Sequence, residues 1–177
     1  MEHLADFTMY IGIKFSPYIT PSKSPTSSHF PQFHYIWKKP FDMNYWLVKS
    51  EPHKYSWEKF NQEGHTFWDG VRNYQARNNL REMKEGDLVM FYHSNEGKEV
   101  VGIAKVAKEA YQDPTTTDPN WLVVDLVPHE TLKTPVTLQE IKADPSLQNI
   151  HLVRQGRLSV ISLKREEFDR IVEISER

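Results

Sequence analysis

The sequence predicts an α+β domain, a small curved sheet or barrel of five or six strands with short peripheral helices. Three observations predict it. Short apolar, β-branched and aromatic runs recur between Gly, Asn and Pro turn signals, as strands do. The helical stripes among them are short, and each follows a Ser, Thr or Asn suited to cap a helix start. No segment repeats at a period of about 20–50 residues, so a solenoid is excluded.

The elements follow in order. Asn44-Tyr45-Trp46-Leu47-Val48 predicts a buried strand near 44–49, and Ser56 opens a helix from Trp57 to about Asn61 that Gly64 ends. After a Trp68-Asp69-Gly70 turn, Asn73 is placed to cap a helix whose Ala76, Leu80 and Met83 fall at i, i+4 and i+7. Gly86-Asp87 stops it. Leu88 to Tyr92 and Val100 to Val106 predict strands around Asn95-Glu96-Gly97, a hairpin signal, and Trp121 to Val127 a fourth strand. Thr137-Leu138-Gln139-Glu140 fits a capping box for a helix that stops before Pro145. Leu158 to Ile161 is the fifth strand, and Ser162 is placed to cap a last helix carrying Leu163, Phe168, Ile171 and Val172.

At 177 residues the chain has room for one domain with a core that buries about two thirds of the unfolded surface. The 38% hydrophobic and 26% charged content excludes wholesale disorder and a membrane-embedded protein alike. No apolar run approaches the roughly 20 residues of a membrane span, and Met1-Glu2-His3 does not open a signal peptide. An intracellular location is expected, cytoplasmic, or nuclear in a eukaryote. The absence of cysteine excludes disulfides, thiolate nucleophiles and cysteine metal sites. A net charge of -2 excludes a general nucleic-acid coat, so any nucleic-acid contact is local. Residues 1–42 hold Pro17, Pro21, Pro25, Pro31 and Pro40 and a Ser/Thr run from Ser22 to Ser28, without sustained periodicity. They are expected to form a disordered or loosely attached segment ahead of a domain at 43–177, with Met43 as a candidate native start.

Signatures of chemistry are sparse. His53, His65, His93, His129 and His151 form no i, i+4 pair, so no metal is expected, and the scattered glycines build no phosphate cradle. No cofactor is expected. Lys49-Ser50-Glu51-x-His53 collects a hydroxyl, a carboxylate and an imidazole, but neighbours leaving a strand point apart, whereas a catalytic relay must converge. Asp69, Glu51 and Asp125 are isolated carboxylates, more often solvated or ion-paired than catalytic.

Two segments remain, Tyr45 to Pro52 and Phe67-Trp68-Asp69-Gly70-Val71-Arg72-Asn73-Tyr74-Gln75-Ala76-Arg77-Asn78-Asn79-Leu80. The second sets a Trp before a tight turn and a helix start rich in Arg, Asn and Gln. That mixture suits base recognition: a ring stacks on a base for about 1–3 kcal/mol, amides pair with base edges, and guanidinium holds phosphate. Composition by itself favours the plainer arrangement, in which Trp68 packs in the core, Asn73 caps a helix and the rest is a solvated face, because buried Trp is far commoner than a Trp that lines a cage.

Both segments, with Asp87-Leu88-Val89-Met90-Phe91-Tyr92-His93-Ser94 and Val101-Gly102-Ile103-Ala104-Lys105-Val106, resemble the EVE domain over about 43–174. The resemblance implies a PUA-like mixed β-barrel related to YTH domains, binding modified bases such as methylated or oxidised cytosine. It also implies a pocket lined by Lys49, Ser50, Trp68 and Asn73. Later aromatics of the YTH cage have no plain counterpart, leaving Tyr92 and Trp121 as candidate second walls. The expected function is a non-catalytic reader of one modified base in DNA or RNA, acting as a monomer or weak dimer without membrane or metal. Trp68 stacks on the base, Asn73 and Gln75 read its polar edge with Ser50, Tyr92 and His93 close the pocket, and Arg72 and Arg77 hold phosphate. Arg72, Arg77, Arg81 and Lys84 meet only Asp69, Glu82 and Glu85 nearby; Arg154, Arg157, Lys164 and Arg165 form either a second basic lip or a solvated face. Two other classes stay open: an enzyme acting through Ser50, Glu51 and His93, and a protein-interaction module.

Overall fold

The computed structural model describes residues 43–177, and the segment 1–42 lies outside the described residues. The chain forms β1 (Tyr45–Ser50), α1 (Trp57–Glu63), β2 (Thr66–Phe67), α2 (Tyr74–Glu82), β3 (Leu88–His93) and β4 (Glu99–Gln112). It continues through β5 (Leu122–Thr137), α3 (Leu138–Ala143), α4 (His151–Arg154), β6 (Val160–Leu163) and α5 (Arg165–Ser175). The strands make one mixed sheet in the order β2-β5-β4-β3-β1-β6. This is the expected α+β class. Among the described strands only β1 and β3 pair in parallel, because α1, β2 and α2 supply the crossover between them.

Alternation along the strands sorts the residues onto two faces. Tyr45 to Ser50 pair in register with Leu88 to His93, so Trp46, Val48, Ser50, Val89, Phe91 and His93 share one face. Trp57 and Phe60 of α1 and the ring of Trp68 meet Phe91 there. Tyr45, Leu47, Lys49, Leu88, Met90 and Tyr92 share the other face, where Phe168 of α5 packs on Tyr45 at 4.8 Å. Trp46, Leu47 and Val48 are all buried, as a strand covered on both faces requires.

The sheet curls. The nine-residue α2 packs on β4 and β5 and also on β6, although in a flat sheet β5 and β6 would lie four strand spacings, about 19 Å, apart. A helix roughly 13 Å long reaches both only if the sheet bends around it. Among the described residues no rung joins β2 to β6, so the expected barrel is an open curled sheet with α2 lying across the opening.

Several boundaries differ from expectation for local reasons. β4 and β5 extend well beyond 100–106 and 121–127. Their pairing shifts register at four places, which breaks the period-two pattern, and β5 carries Pro128 and Pro135, residues that normally argue against a strand. β6 runs to Leu163, so Ser162 lies within it, opposite Trp46. The last helix therefore begins two residues later than expected, with Lys164 at the cap and its N–H donating to the Glu167 carboxylate at 2.8 Å. Strand β2 and helix α4 are too short to leave a periodic signal.

Candidate nucleic-acid interface

Helix α2 runs antiparallel to β1. Asn79 donates to the Val160 carbonyl, opposite Val48, while beyond the helix's C-terminal end the Asp87 carboxylate accepts from Lys84 N–H and from Trp46 Nε1 at 2.8 Å. Asn73, Tyr74 and Gln75 therefore lie toward the end of the sheet where β1 and β3 finish at Ser50 and His93. The loop 155–159 reaches the same end, since Ser159 and Gly156 carbonyls accept from the backbone N–H and from Nζ of Lys49.

Asn73 caps α2 as expected, its Oδ1 accepting from Ala76 N–H at 3.0 Å. Gln75 is exposed and lies on the Asn79 flank of the helix, one turn earlier. Trp68 sits with the core at 7% exposure, its ring steeply inclined to Phe91 at 5.5 Å and to Tyr55 at 6.5 Å. The Tyr55 carbonyl accepts the Ser50 hydroxyl at 2.6 Å, tying the end of β1 to the ring that backs Trp68. Tyr55 was not singled out in the sequence; its partners lie far enough away in the chain that no spacing rule connects them.

His93 is buried, and its Nε2 accepts the Trp57 N–H at 3.1 Å, so the imidazole serves as acceptor for the first turn of α1. Burial pulls its pKa below the ordinary value, outweighing attraction from Glu58 and Glu99, and so favours the neutral ring. Glu51 pairs with Lys54 at 2.9 Å and His53 at 3.3 Å. Ser50, Glu51 and His93 are thus each engaged with a different neighbour and form no nucleophile–base pair. Among the described residues no cluster of three His, Asp or Glu is arranged to hold a metal ion.

Strand alternation corrects the expected wall. Tyr92 and Lys49 point to the face opposite Ser50, His93 and Phe91, so Tyr92 does not close a pocket over Trp68. Trp121 stacks on Tyr74 at 5.3 Å, not on Trp68.

Arg72, just ahead of the N-cap, and Arg77, in the first turn of α2, both reach the segment 113–121. Arg72 donates to the fully buried Asp113 at 2.8 Å and lies over the Trp121 ring. Burial opposes ionisation of Asp113, but the Thr115 hydroxyl and N–H together with Arg72 outweigh it and hold the carboxyl below its usual range. Arg77 donates to Asn78 and to the Asn120 carbonyl, with its guanidinium over the Tyr74 ring at 5.0 Å. In the other basic segment, Arg165 pairs with Asp169, while Arg154 donates to Asn149. Two hollows on the described surface, of about 370 and 970 Å³, are lined by none of the expected pocket residues and by neither Arg72 nor Arg77, though Lys84 borders the larger.

The family model described as the EVE domain matches residues 44–174. The chain belongs to the EVE-domain family. This EVE domain is 39% identical over 166 residues to thymocyte nuclear protein 1 of Gallus gallus, covering 75% of the chain and 69% of the relative. A crystal structure of an Agrobacterium tumefaciens protein is 46% identical with a TM-score of 0.74, over 75% of this chain and 92% of that one. The human THYN1 protein, crystallised in complex with 5-methylcytosine-containing DNA, is 35% identical with a TM-score of 0.71, over 76% of this chain and 98% of that one.

Proposed function

We propose that this EVE domain is a non-catalytic reader that holds one modified cytosine of DNA at the strand-end site between Ser50, Trp68 and the start of α2. One observation carries the proposal: the DNA-bound human relative shares the fold across 98% of its length. Local chemistry supports it. Trp68, held edge-on by Phe91 and Tyr55, is a rigid ring that keeps 7% of its surface exposed as the wall for the base, and Gln75, exposed and without a hydrogen-bond partner among the described residues, has an amide to offer its polar edge. Asn73 has spent its oxygen on the helix cap, leaving its amide nitrogen to donate. A C5 methyl group is small; a fitted apolar contact discriminates it by about 1–3 kcal/mol, so a preference of roughly tenfold or more over cytosine is expected. Within a cell the domain acts as a monomer or weak dimer, in the nucleus of a eukaryote.

Trp68→Ala tests the wall. Binding of a 5-methylcytosine oligonucleotide should weaken by about 1–3 kcal/mol per folded molecule, and mass spectrometry after long incubation should return the oligonucleotide unaltered. A variant that melts far lower while its folded fraction binds as tightly as wild type would make Trp68 core alone, and product in excess of protein would make the domain an enzyme.

A further inference from the structure

We infer that the stack of Tyr74 on Trp121 is a second contact site, a platform for an unpaired nucleobase adjacent to the captured one; this rests on the modified-base reading above. Tyr74 is 62% exposed, against 45% for Met43 and 40% for Phe67, the other large apolar side chains that face solvent among the described residues. It sits at the first position of α2, and Trp121 holds its ring nearly parallel at 29° and 5.3 Å. A ring fixed in this way has lost its rotational freedom before a base arrives, so stacking orders little further. The guanidiniums of Arg77 and Arg72 lie over the two rings, at 5.0 Å from the Tyr74 centroid and 5.5 Å from the Trp121 centroid. Each ring of the stacked pair thus has a guanidinium beside it, and aromatic and guanidinium planes are the surfaces on which unstacked bases settle.

The charge fits a strand that passes here. Among the described residues Arg77 bonds only to amide and carbonyl oxygens, with no carboxylate partner, so its charge is there for a phosphate, while Arg72 shares its charge with Asp113. Position fits as well: Tyr74 directly precedes Gln75, with Cα atoms about 3.8 Å apart. Their side chains diverge by about 100° around α2, so a base read by Gln75 leaves the adjoining nucleotide within reach of Tyr74 on the next flank.

The test uses single-stranded oligonucleotides with one 5-methylcytosine, intact or with an abasic nucleotide on one side or the other. Tyr74→Ala should weaken binding of the intact strand about five- to hundredfold, and Tyr74→Phe should retain it. On one side, the abasic strand should bind wild type as poorly as the intact strand binds Tyr74→Ala, with no further loss when the two changes are combined. Wild-type affinity in Tyr74→Ala, or losses that simply add for both abasic strands, would overturn the platform. If the coupling holds but wild type binds cytosine and 5-methylcytosine strands equally, the platform stands and the modified-base reading falls.

Discussion

At position 72 a side chain read as a phosphate contact proves to be tied to a buried carboxylate 41 residues away in the chain. No local pattern reveals such a partner, because Asp113 becomes buried only when β4 and β5 pair around it. Arg72→Ala would leave that charge without its guanidinium, so lost binding in this variant is confounded with lost stability. His93 shows the same divide: its place at the end of β3 follows from the sequence, its role as acceptor for Trp57 N–H does not. That role makes a pH prediction. The folded pKa lies below the ordinary 6.5, so the unfolded chain binds the proton more readily; the His93 contribution is complete above the ordinary value and declines as pH falls through it toward the folded value. Wild type should therefore lose more melting temperature between about pH 8 and pH 5 than His93→Gln, which keeps an acceptor but does not titrate. Equal losses would contradict the assignment.

Helix α2 carries two adjacent duties that its residues separate. Asn73 caps the helix, so Asn73→Ala should cost about 1 kcal/mol and lower the melting temperature by roughly 3–5 °C. Gln75 is exposed, so Gln75→Ala should leave the melting temperature unchanged and instead erode the preference for 5-methylcytosine, seen in parallel melts and binding titrations. A stability loss in Gln75→Ala, with preference intact, would remove it from the site. The cap, the apolar stripe of Ala76 and Leu80 and the stop before Gly86 were legible because each is set by near neighbours. The full lengths of β4 and β5 were not: their outer halves are held by each other across bulges, and Pro128 and Pro135 sit where propensity forbids a strand. Tyr92 was misplaced for the opposite reason. Strand alternation was available from the sequence, but Tyr92 can be assigned to a face only once β1 and β3 are known to pair in parallel with Lys49 beside Tyr92.

Across the whole molecule, the curl of the sheet around α2 brings the end of β1, the start of α2 and the loop 155–159 to one end of the fold. Class and five of the six strands could be read from the run of elements; the two-residue β2 and the open edge could not, since closure depends on which edge strands meet. With a net charge of -2, affinity must come from a site and not from a coat of charge. The most direct test is therefore a salt titration of affinity for one oligonucleotide carrying either 5-methylcytosine or cytosine at a single position. The account predicts two parallel log–log lines with a slope of about -2, the methylated strand tighter at every salt concentration. Coincident lines, or a slope steeper than about -5, would contradict it.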